Sequence, residues 1–76
     1  MKEEEIVEIL KTDDENFRKL YQEHRELDNQ LVELDKKHYL STEEEIERKR
    51  MAKEKLYKKD KMAESVRVYR KTHSLN

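Results

Sequence analysis

Phe17, Leu20, His24, Leu27, Leu31, Leu34 and His38 step along the chain by three and four residues in strict alternation. Such steps are the a and d positions of a heptad, and both histidines fall at a. The stripe is narrow, as in a coiled-coil seam rather than a globular core helix. It predicts a long helix over residues 13–38. Thr12 is expected as its N-cap, with Glu15 completing a capping box and Asp13 and Asp14 in the first turn. Ahead of it, Ile6, Ile9 and Leu10 share a face over residues 3–10, and Glu3, Glu4 and Glu5 suit the positive end of a helix dipole. Downstream, Ser41 or Thr42 with Glu44 or Glu45 forms a second capping box. It predicts a third helix over residues 43–70, with residues 71–76 as a frayed tail. The seam of this helix is weaker. Ala52, Leu56, Ala63 and Val66 share a face, Met62 and Tyr69 stand beside it, and Lys59 and Arg70 fall on seam positions.

Tyr39 and Leu40 are expected to form the connection. So short a link between long helices predicts an antiparallel hairpin. Folding about residue 40 then sets Leu34 against Ile46, Leu27 against Ala52 or Lys53, His24 against Leu56, and Phe17 against Ala63. The fold class expected is all-α, one domain over residues 1–76: a coiled-coil-like antiparallel hairpin with a short N-terminal helix.

Composition sharpens this picture mainly by exclusion. Of 76 residues, 49% are charged and 33% hydrophobic, and Gly, Pro and Cys are absent. Without Cys there are no disulfides, zinc–thiolate sites or thiol catalysis. Without Gly there are no phosphate-cradling loops. High charge also fits disorder, against which the regular apolar spacing argues. No apolar run is long enough to span a bilayer, and the acidic start lacks the apolar segment of a secretory signal, so a cytoplasmic protein is expected. The net charge of −1 hides a division. Residues 1–45 carry 15 acidic and 7 basic side chains, and residues 46–76 carry 4 and 11. Either the second half meets nucleic acid or the halves attract one another.

The residues Phe17-x-x-Leu20-x-x-Glu23-His24-x-x-Leu27-Asp28-x-x-Leu31-x-x-Leu34, followed by Lys53-x-Lys55-Leu56-x-x-Lys59-Asp60, resemble the small bacterial YdcH-like family. The resemblance covers residues 16–62, and its more specific part is Glu-His-x-x-Leu-Asp. Lys58 stands where that pattern leads one to expect an apolar residue. The resemblance implies a short helical hairpin of uncharacterised function, with no catalytic or ligand-binding residues.

Three chemistries compete for the polar residues. His24 with Asp28, and Asp35 with His38, place imidazole and carboxylate on one helix face. A helical metal site needs further carboxylates from the facing helix, which offers Lys and Arg instead. No metal, cofactor or small-molecule substrate is therefore expected, and His24 is read as a polar a-position residue that sets register. Neither is catalysis expected, because no nucleophile stands at a defined spacing from a base. Arg48, Lys49, Arg50 and Lys53, with Tyr57 among them, make a candidate nucleic-acid surface: cations for phosphates and a ring for stacking. Glu47, Glu54, Asp60 and Glu64 interrupt that stripe. A membrane-surface helix is not expected, since residues 46–70 hold too few bulky apolar side chains.

The functional expectation is a non-enzymatic protein-interaction or self-assembly module. Its seam is Phe17, Leu20, His24, Leu27, Leu31, Leu34, Leu56, Ala63 and Val66. A dimer is the favoured state, because Leu31, Val32, Met51 and Tyr57 cannot all face one narrow seam. Another protein is the second possible partner. The alternative is a nucleic-acid-binding accessory protein that uses the basic third helix.

Overall fold

The computed structural model describes residues 2–73, which form three packed α-helices with no strand among them. Helix α1 spans Glu3–Asp13, α2 Glu15–Asp35 and α3 Thr42–Thr72.

The α1–α2 junction is a single extended residue, Asp14, with φ −120° and ψ 106°. Its backbone N–H donates to the Leu10 carbonyl at 2.8 Å and closes α1. Its carboxylate accepts from the Phe17 N–H at 3.1 Å and opens α2. The N-cap expected at Thr12 is thus displaced by two residues. The Thr12 hydroxyl instead donates to the Glu8 carbonyl at 3.1 Å, so α1 runs on past residue 10. A carboxylate is at least as good an N-cap as threonine, and here it also meets the dipole of α2.

Helix α2 stops at Asp35, three residues short of the expected end. Lys36 N–H reaches Val32 O and Lys37 N–H reaches Leu34 O, both at 3.2 Å, tightening the last turn. His38 lies outside the helix, exposed in the connection. The start of α3 follows the expected capping box. Glu44 N–H donates to Ser41 Oγ at 3.1 Å, and Ser41 N–H donates to Glu44 Oε1 at 3.0 Å. The helix continues to Thr72, so Lys71 and Thr72 are helical rather than frayed. His73 closes the helix, its N–H donating to the Tyr69 carbonyl at 2.8 Å, and the rest of the expected tail, residues 74–76, lies outside the described residues.

Two apolar clusters hold the helices together. Ile6, Leu10, Phe17 and Val66 form one, with Val7, Tyr21, Met62 and Tyr69 packed against it. Phe17 is only 1% exposed and Ile6 fully buried. Leu27, Leu31 and Met51 form the other, joined by Leu34. Between them the α2–α3 contact is polar, and α3 has no apolar side chain facing α2 between Met51 and Met62.

The face that α3 turns to α2 differs from expectation by about one residue, or 100° of helix rotation. Met51 and Val66 are buried, and Lys55, Lys58 and Met62 half-buried, whereas Leu56 is 59% exposed and Ala52 and Ala63 are exposed. Ile46 likewise does not meet Leu34; it is 63% exposed. The reason is area. Two methionines and two lysine stems cover more apolar surface than Ala52, Leu56 and Ala63 could. The lysine heads also find carboxylates across the groove. Leu56 and Ala63 therefore leave the expected seam, and Val66 remains in it.

Candidate interaction surface

Asp35, Asp28 and Glu23 on α2 meet Arg48, Lys55 and Lys58 on α3. Asp35 accepts from Arg48 Nε at 2.8 Å, Asp28 pairs with Lys55, and Glu23 pairs with Lys58 at 3.2 Å. Lys37 and Glu44 pair across the connection. As the α2 numbers fall, the α3 numbers rise. The Lys58 side chain, in place of an apolar residue, is the least exposed of the cationic side chains in the set at 21%.

His24 sits in the middle of this ladder. It is half-buried, and its Nε2 is sealed from solvent with no hydrogen-bond partner among the described residues. Burial, chiefly, holds its pKa below the ordinary imidazole value. Lys55 and Lys59 push it the same way, and Asp28 opposes them. Asp28 is held below the usual carboxylate range, first by its hydrogen bond from Lys55 and then by the lysine's charge. Nothing brings Asp35 and His38 together, because Asp35 is engaged by Arg48. Among the described residues no three His, Cys, Asp or Glu side chains converge as a metal-ligand set.

Phe17, Leu27 and Leu31 are buried, and Leu20, His24 and Leu34 half-buried. Sequence reasoning passed over Lys55 and Lys58 as seam residues. The acidic residues at 23 and 28, flanking the α2 stripe on either side, were the signal that could have found them.

The candidate nucleic-acid contacts divide into two groups. Arg48 is bound to Asp35, and Arg50 to Glu47 and Glu54. Lys49 and Lys53 are exposed and make no ion pair among the described residues. Tyr57 is 59% exposed, with the Lys61 ammonium 5.6 Å from its ring centre. Around Tyr21, Arg25 and Lys11 gather, and Lys11 lies 4.2 Å over the ring. The Arg25 hydrogen bond, then the Lys11 charge, lower the phenol pKa.

An open groove lies at the α1 end, with Leu10, Leu20, Val68 and Tyr69 among its walls. Its rim charges, Asp14, Lys61 and Glu64, are ordinary surface groups; Asp14 is committed to capping α2. No described helix is long and apolar enough to cross a membrane. No family model, curated protein or solved structure matches the chain.

Proposed function

We propose that the chain is an antiparallel, coiled-coil-like helical hairpin braced by its N-terminal helix, and that it acts in the cytoplasm as a non-enzymatic interaction or self-assembly module. The observation that carries this reading is the distribution of apolar surface. Among the described residues seven apolar side chains are buried, while Val32, Tyr39, Ile46, Leu56, Tyr57 and Val68 are exposed. A scaffold this small gains little net stability from so few buried groups, and burying the rest against a partner is the remaining source. The opposed order of the ion pairs supports the hairpin. The resemblance to the YdcH-like family points the same way. Consumption of Asp28 and Glu23 by lysines speaks against acid–base chemistry in the groove.

Sedimentation equilibrium of the full chain over a wide concentration range tests the reading. A concentration-dependent rise above the 9.4 kDa monomer is expected. A monomer at every concentration, with full helicity, would refute self-assembly. A second reading draws on Lys49, Lys53 and Tyr57, which stand exposed together on α3. Binding of a single-stranded oligonucleotide that collapses between low and moderate salt would favour it, whereas an apolar interface persists in salt.

A further inference from the structure

Of the four exposed large apolar side chains on α3, Leu56 stands apart, about 100° round the helix from Tyr57, while Ile46, Tyr57 and Val68 are spaced by eleven residues and eleven again. Eleven residues make three helical turns with only about 20° of drift, so the three share one face. Helical periodicity places that face roughly opposite the one bearing Met51, Lys55, Lys58 and Met62. It belongs to neither apolar cluster.

We propose that this face is the interface of a homodimer in which α3 pairs antiparallel with α3 of a second copy, about a twofold axis at Tyr57. The inference rests on the self-assembly reading and specifies its surface. The face is symmetric in shape about Tyr57, and its outer charges are complementary about the same point. Eleven positions either side stand Ile46 and Val68, so antiparallel pairing sets each against the other. Fourteen positions either side stand Glu43 and Lys71, and seven either side Arg50 and Glu64. Nearest the axis, equal offsets hold like charges, Lys53 and Lys61 at four and Glu54 and Asp60 at three, so there the pairs are staggered by one residue, Lys53 with Asp60 and Glu54 with Lys61 of the other copy. Each cation therefore meets an anion of the other copy, and twofold symmetry makes each pair twice. A parallel pairing would set every charge against itself.

The charges needed are largely uncommitted. Glu43, Lys53, Asp60, Glu64 and Lys71 make no ion pair among the described residues, and Arg50 and Glu54 are engaged only along their own helix. Lys61, over the Tyr57 ring, is placed to serve both tyrosines at the axis. From Glu43 to Lys71 the helix offers about 42 Å of length. At the about 10–12 Å width of a helix with its side chains, such a strip covers roughly 400–500 Å² per partner, a small interface in which the charge pairs set the register.

The chain has no cysteine, so introduced thiols report the register directly. Tyr57→Cys should form a disulfide-linked dimer under mild oxidation. Ile46→Cys alone and Val68→Cys alone should not, and their mixture should. In sedimentation, Lys53→Glu alone and Asp60→Lys alone should each weaken the dimer about tenfold, since each sets like charges together twice. Mixing the two variants should restore it, because both pairs then become opposite. Circular dichroism should show unchanged helicity, as all these side chains are exposed. A wild-type dimer that persists in both charge variants, or lacks the Ile46–Val68 cross-link, would overturn this interface and leave the self-assembly reading standing. A wild-type monomer would overturn both.

Discussion

Replacing His24 with leucine should stabilise the protein, and more so in acid. The imidazole occupies a seam position with Nε2 sealed from water and unpartnered. A buried polar atom without a hydrogen bond costs about 1–3 kcal/mol, and the half-buried ring argues for the lower end. His24→Leu should therefore gain about 1 kcal/mol at pH 7.5, or roughly 4–8 °C in Tm for a chain this size. The pH dependence has a definite sign. The folded pKa lies below the unfolded one, because burial and then Lys55 and Lys59 disfavour the cation more than Asp28 favours it. The unfolded chain thus takes up the proton first. Stability is fully present above about pH 6.5 and is lost as pH falls through that value towards the folded pKa. Asp28 does not contribute in this window, since its carboxyl is held below the usual range and its share is lost only in stronger acid. Thermal unfolding by far-UV circular dichroism at pH 7.5 and 5.5 measures both effects. The wild type should lose stability between the two, and His24→Leu should lose less. A variant less stable than wild type at pH 7.5, or one with the full acid loss intact, would refute the placement of His24 as an unpartnered seam group.

Asp14→Ala should cost about 1 kcal/mol, because one carboxylate caps α2, whereas Thr12→Ala should be nearly neutral; chemical denaturation of the two separates the observed junction from the expected one. Phe17→Ala, at the centre of the α1 cluster, should cost about 3–5 kcal/mol and leave the chain largely unfolded at 25 °C, as read by helicity. Met51→Ala should destabilise by about 2 kcal/mol or more while Leu56→Ala stays within about 0.5 kcal/mol, a contrast that reports which face of α3 meets α2.

How legible each helix was depends on how many faces it had to satisfy. Helix α2 buries one stripe, so Phe17, Leu27 and Leu31 could be read straight from the spacing. Helix α3 carries apolar residues on two sides: Met51, Met62 and Val66 inward, Ile46, Leu56, Tyr57 and Val68 outward. Such a helix has no single periodic stripe, and periodicity alone picks the wrong set. The Ser41–Glu44 box was legible because serine and glutamate have one good arrangement there. The α1–α2 junction was not, because Thr12, Asp13 and Asp14 are all competent caps and the choice falls to the packing of Ile6 and Leu10 on Phe17.

The lysines in the groove explain why α3 settles on the rotation it does. Turning it by one residue would bring Leu56 inside, a gain of about 1.5–3 kcal/mol in apolar burial. The same turn would withdraw Met51 from Leu27 and Leu31, and Met62 from the α1 cluster, forfeiting a similar amount at each. The two methionines thus outweigh Leu56, and the ion pairs add to the same preference. Each is partly exposed and worth only about 0–1 kcal/mol. All three are lost together on rotation, however, and Asp28 and Glu23 would face Leu56 rather than an ammonium. The ladder therefore selects one rotation and one register more than it adds stability, and the two apolar clusters supply the stability. Salt should accordingly change the unfolding free energy little, since the screened part of the fold is the part that carries least of it.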